Sequence, residues 1–67
     1  MIEYTNSKIR ESIAENIHNI EDRKMLEMRF IDGLTFEKIG FEMGMTTKTV
    51  RLRIHKHEET IFKDFPG

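Results

Sequence analysis

The chain has 67 residues, enough for one domain with a modest core. Hydrophobic residues make up 37% and charged residues 34%, which suits a compact helical domain better than a disordered chain. There is no cysteine, so disulfides and thiolate metal sites are excluded, and no apolar run approaches the roughly 18 residues of a membrane span.

The N-terminal residues lack the positive and then apolar regions of a signal peptide, so a cytoplasmic protein is expected. The net charge of −1 is unevenly spread. Residues 1–42 hold six Lys/Arg against nine Asp/Glu, and residues 58–67 hold Lys63 against Glu58, Glu59 and Asp64. Between them, residues 43–57 carry Lys48, Arg51, Arg53 and Lys56 with no acid at all. Nucleic-acid binding requires a positive face, not a positive molecule, and this window supplies one.

Apolar residues recur at helical spacing throughout, and sustained alternation is absent. The pattern predicts an all-α domain of four helices, at about 6–18, 21–31, 36–43 and 47–62, followed by a fraying tail over 63–67. The first helix is capped by Thr5 or Asn6 and carries an isoleucine stripe of Ile9, Ile13, Ile17 and Ile20. That stripe either completes the core or pairs with a second copy. The next helix opens on Glu21 and Asp22, where the helix dipole favours acids. Met25, Leu26, Met28 and Phe30 form its apolar surface, and Gly33 is expected to end it. Arg29 is expected to form a structural ion pair with Glu37 or Asp32 in preference to a nucleic-acid contact.

The third and fourth helices have the form of a helix-turn-helix. Thr35 caps the third, with Ile39 and Met43 inward. Gly40 removes a side chain where the two helix axes would collide, and Gly44 supplies the positive φ of a short turn. Met45 plugs the corner. Thr46 caps the last helix, which leaves free N–H groups and a positive dipole end for a phosphate. Val50, Ile54, His57 or Glu58, and Ile61 mark the inner line of that helix. By the same periodicity Thr47, Lys48, Arg51, Leu52 and His55 point outward.

This arrangement predicts a DNA reader. Thr47, Lys48, Arg51 and Leu52 are the expected base contacts: Arg51 suits guanine O6 and N7, and Leu52 a thymine methyl. Thr35, Lys38, Thr46, Thr49, Arg53, His55 and Lys56 are the expected phosphate contacts. His55 and His57 stand two apart on a helix, a poor spacing for a metal pair, and no metal is expected. Ser7 and Ser12 have no base-and-orienter pattern nearby, so no catalytic residue and no enzyme is expected, and no cofactor is implied. The methionines read as adaptable core filler.

Residues 20–61 resemble region 4 of sigma-70-type transcription initiation factors. The residues that carry the likeness are the run from Arg23 to Gly40, which includes Leu26, Arg29, Phe30, Gly33, Thr35, Glu37 and Ile39. To these add Met43-Gly44-Met45-Thr46 and Thr49-Val50-Arg51. The stretch from Thr47 to Arg51 is also similar to the LuxR/GerE-type regulators. The resemblance implies promoter-type DNA recognition by the fourth helix, in a bacterial or phage protein. It places Thr47, Lys48, Arg51 and Leu52 near bases, and Thr46 and Arg53 near phosphates. Gly40 replaces the family's usual alanine. Phe41 stands where a polar residue is usual and marks an exposed contact surface. Nothing in the chain resembles region 2, so a complete sigma factor is not expected.

The expectation is therefore a small transcription regulator that binds double-stranded DNA, as a homodimer that gains affinity from two half-sites. Helix one, the end of helix four, Phe41, Phe62 and Phe65 are candidate dimer surfaces. Two other roles share the motif: a module that docks on RNA polymerase or a sigma partner, and a phage DNA-packaging accessory.

Overall fold

The computed structural model describes residues 5–63. Four helices follow in order: α1 Asn6–Asn16, α2 Ile20–Phe30, α3 Phe36–Met43 and α4 Thr47–Phe62, with no strand among the described residues. The all-α, four-helix reading is borne out, and α3 and α4 fall where their caps and glycines place them.

Every helix begins on a side-chain cap. The hydroxyls of Thr5, Thr35 and Thr46 accept the N–H of the residue three ahead at 3.2, 3.1 and 3.2 Å. Asn19 Oδ1 accepts from the Asp22 N–H at 3.0 Å. Each cap satisfies one N–H that a helix start leaves open, a contribution of about 1 kcal/mol. Caps matter in a domain whose core is this small.

The junction of α1 and α2 differs from expectation. α1 stops at Asn16, because Ile17 is extended (φ −115°, ψ 120°) and turns its side chain inward from outside the helix. Arg23 reaches back from α2 to hold this corner: its Nε donates to the Ile17 carbonyl, and its Nη2 to the Ala14 carbonyl at 2.9 Å. These are carbonyls that a helix end leaves unpaired. The break moves Ile20 out of the α1 stripe. It becomes the first residue of α2 and is 79% exposed, so it is no part of the core.

α2 ends at Phe30, and Gly33 lies beyond the helix cap rather than at it. The N–H groups of Ile31 and Asp32 both donate to the Glu27 carbonyl; Gly33, at φ 70°, then lets the Leu34 N–H reach the Met28 carbonyl at 3.0 Å. Arg29 is structural, but not through the expected ion pair. Its Nη1 donates to the Leu34 carbonyl at 3.0 Å and its guanidinium lies 4.4 Å from the Phe36 ring centroid. A planar guanidinium can stack and donate at once, which Glu37 or Asp32 on the surface would not exploit.

The core consists of Ile9, Ile13 and Ile17 near α1, Met25 and Leu26 of α2, Ile39 of α3, and Val50, Ile54 and Ile61 of α4. Met28, Phe30, Ile31, Leu34, Phe36, Met43, Met45 and Phe62 pack around it. The α1 stripe thus completes this core, and its isoleucines are not presented to a second copy. α4 packs against all three other helices, whereas α1 does not reach α3. At the far end of α4, the buried Ser12 hydroxyl donates to the Ile61 carbonyl at 2.7 Å. Phe62 meets Phe30 edge-on with centroids 5.1 Å apart, while Phe65 lies outside the described residues.

The turn between α3 and α4 is closed by backbone. Gly44, at φ 68°, ends α3, and the Gly40 carbonyl accepts from both the Gly44 N–H and the Met45 N–H, the latter at 2.8 Å. A Cβ at position 40 would stand 2.6 Å from the Met45 carbonyl oxygen. The expected collision at Gly40 is therefore real, but with the turn and not with the axis of α4.

Two outcomes follow from this packing. Gly40→Ala gains up to about 1 kcal/mol of helix propensity but drives a methyl into backbone that cannot rotate away. A net loss of about 1–2 kcal/mol is expected in urea unfolding, and equal or greater stability would show that no clash exists. Ser12→Ala leaves the Ile61 carbonyl without its donor and is expected to cost about 1–2 kcal/mol in the same measurement.

Candidate nucleic-acid interface

α4 is held by its inner line of Val50, Ile54 and Ile61, all buried. That anchoring decides what its other side presents. Thr47, Lys48, Arg51 and Leu52 are all exposed, Leu52 at 58%. Thr47, Lys48 and Arg51 take part in no side-chain hydrogen bond or ion pair among the described residues. The four residues expected to meet bases therefore share the first turns of one well-anchored helix, with their polar ends free.

The residues expected to meet phosphates are placed less uniformly. Lys56 is exposed and unpaired among the described residues. The Thr46 hydroxyl accepts the Thr49 N–H as the cap of α4 and also donates to the Thr49 hydroxyl at 2.9 Å, so both side chains are engaged at the helix start. The N–H groups of Thr47 and Lys48 precede the first intrahelical bond and remain available. Thr35 serves α3 as its cap. Lys38 pairs with Glu42 at 3.4 Å and stands 5.7 Å from the Phe41 ring centroid. His55 Nδ1 lies 2.9 Å from Glu58 Oε2, with its ring set edge-on to Phe36.

Arg53 departs furthest from the simple picture. It lies on the flank of α4 that faces the start of α2, with its Nη1 3.3 Å from Glu21 Oε1 and 3.5 Å from Asp22 Oδ1. Next to it, His57 Nε2 lies 2.8 Å from Asp22 Oδ2. Sequence reasoning assigned Glu21 and Asp22 to the dipole of α2 alone. Their second role, as partners of α4, has no local signal, because His57 and Asp22 are 35 positions apart.

Phe41 is exposed on α3, as its place in the pattern suggests. No three His, Cys, Asp or Glu side chains among the described residues are grouped to hold a metal. No helix among them is long and apolar enough to cross a membrane.

The arrangement offers hydrogen-bond donors and one apolar side chain at the exposed N-terminal half of a helix, preceded by a tight turn and a supporting helix. This is the geometry of a recognition helix. The family model described as "Sigma-70, region 4" matches residues 19–56, which span all of α2, all of α3 and α4 as far as Lys56. No curated protein and no solved structure matches the chain. Region 4 is a family of DNA-binding domains and not of enzymes. With the matched segment covering more than half of the chain, and the helix-turn-helix in place within it, this protein belongs to the sigma-70 region 4 family of DNA-binding helix-turn-helix modules.

Proposed function

We propose that this chain is a sequence-specific regulator of transcription that lays the first half of α4 in the major groove of double-stranded DNA. One observation carries the reading. Thr47, Lys48, Arg51 and Leu52 stand together on the outer side of an anchored helix, and among the described residues no internal partner takes up their polar side-chain groups.

Each has a definite use. The Arg51 guanidinium suits bidentate donation to guanine O6 and N7, and Leu52 suits packing on a thymine methyl. Lys48 and Thr47, at the first turn, suit base edges close to the helix start. Lys56 and the N–H groups at the start of α4 serve phosphates, which fix the register without reading sequence. Lys48, Arg51 and Lys56, the cations of α4 without a partner among the described residues, make a small electrostatic footprint. Binding by one copy is correspondingly weak, which favours two copies on a two-fold site. The isoleucines of α1 are spent inside the chain, so such a pair would have to meet elsewhere, with the exposed Phe41 and the end of α4 as its candidate surfaces. A monomer mass in light scattering at micromolar concentration, with and without operator, would reject the pairing.

The test of DNA reading is a gel shift on genomic fragments at two salt concentrations. Selected fragments are expected to shift, and the sequence-independent part of binding should fall with a log–log salt slope of about −2 to −3 for that footprint. Arg51→Ala is expected to cost about 1–3 kcal/mol on the selected site and to relax preference at one base pair. Equal loss on every sequence would exclude base reading by Arg51. No shift on any fragment, with co-purification of RNA polymerase instead, would replace this reading by that of a docking module.

A further inference from the structure

α4 carries four cations, and only one of them is taken up by acids from another helix. Thr49, Arg53 and Lys56 are spaced three and four apart, so Arg53 shares the flank that runs from the helix start to the free Lys56. A duplex whose phosphates reach Lys56 comes within reach of that flank. Yet the Arg53 guanidinium is turned back onto α2, toward Glu21 and Asp22.

The two acids are not equivalent. The Asp22 side chain is only 15% exposed, and its Oδ2 is committed to His57. Its Oδ1 lies 3.5 Å from Arg53 but accepts no hydrogen bond. Glu21 supplies the hydrogen bond, at 3.3 Å, and has no other side-chain partner among the described residues. Asp22 therefore belongs to the seam between α2 and α4, whereas Glu21 stands at its rim.

The exposure of the Glu21–Arg53 pair, 60% and 42%, makes it a minor contributor to stability. The fold has little need of an acid at position 21. Its effect lies outward: it occupies a guanidinium on the flank shared with Lys56.

We propose that Glu21 is a positioning residue that withholds Arg53 from DNA phosphates and so lowers the affinity of the module for every duplex, whatever its sequence. The inference rests on α4 being the DNA-facing helix. A phosphate oxygen and the Glu21 carboxylate compete for the same N–H donors. Binding DNA through Arg53 thus requires an exchange of one charged pair for another, which cancels most of the gain. Because phosphates carry no sequence information, the penalty falls on cognate and non-cognate duplexes alike. Base preference stays with Arg51 and its neighbours.

The experiment compares the wild-type chain, Glu21→Gln, Arg53→Gln and the double variant on a short mixed-sequence duplex, across a salt series at constant pH. Glu21→Gln is expected to bind about two- to fivefold more tightly at low salt, the range an exposed ion pair can withhold. Its log–log salt slope should steepen by about 0.9, one added phosphate contact. In the Arg53→Gln background the same substitution should change neither affinity nor slope. A duplex-binding wild type with an unchanged slope in Glu21→Gln overturns the inference and leaves the DNA reading standing. So does an equal gain in the Arg53→Gln background, since that would be a general charge effect. Failure of every variant to bind any duplex overturns both.

Discussion

The placement of α4 depends on one close approach: the Met45 carbonyl oxygen sits where a Cβ of residue 40 would be. Gly40 allows the turn to fold back against α3, and its own carbonyl then gathers the N–H groups of Gly44 and Met45. Gly44 adopts the left-handed conformation that such a reversal needs. Together they fix the direction in which the chain leaves α3. From that direction follows the start of α4 at Thr46, the entry of Val50 and Ile54 into the core that holds Ile39, and the outward aim of Thr47, Lys48, Arg51 and Leu52. A methyl at this position would force the backbone of the turn to shift.

The core behind α4 is small and mostly aliphatic, and a domain of this length buries too little surface to spare any of it. α4 is accordingly fastened at three levels. Thr46 caps its start, the Asp22–His57 pair ties its middle to α2, and Ser12 holds the Ile61 carbonyl near its end. The ties to Asp22 and Ser12 are polar, directional and made to other helices, so they fix the rotation of α4 about its own axis as well as its position. For a helix whose reading set lies on one side, that rotation is the property that matters.

Much of this was legible in the sequence, and the parts that were not share a cause. α3 and α4 could be delimited because Thr35, Gly44 and Thr46 are local signals with one mechanical meaning each. The core line of Val50, Ile54 and Ile61 follows from a period, as does the exposure of Leu52. At the first junction, isoleucines at 13, 17 and 20 continue a helical period across the break, and this periodicity masks the one local signal there, the capping residue Asn19, while the hold of Arg23 on the corner has no local signal. Arg29 was given acids as partners because charge is visible in a sequence, whereas a stacked ring and a free carbonyl are not. The same limit hid the α2 acids that face Arg53. Residue types forecast which side a side chain faces, but not which partner it chooses once the helices meet.

The charge pattern then acquires a length. On the proposed reading, the acid-free window of α4 runs from Thr47 to His57, and Glu58 and Glu59 close it. At 1.5 Å per residue the stretch from Thr47 to Lys56 is about 15 Å long, close to the roughly 12 Å width of the major groove. Beyond it, the helix carries acids that phosphates would repel and turns its inner side to α1 through Ile61. The family match also ends at Lys56. The outer side of α4 is thus divided along its length, cations first and acids after, while Val50, Ile54 and Ile61 face the core along the whole helix. That division explains how a molecule with a net charge of −1 can still present a cationic surface. The acids on the rest of the chain stand in the first turn of α2, pair or face solvent, whereas the outer side of α4 ahead of Glu58 carries Lys48, Arg51 and Lys56 in a stretch of sequence that holds no acid.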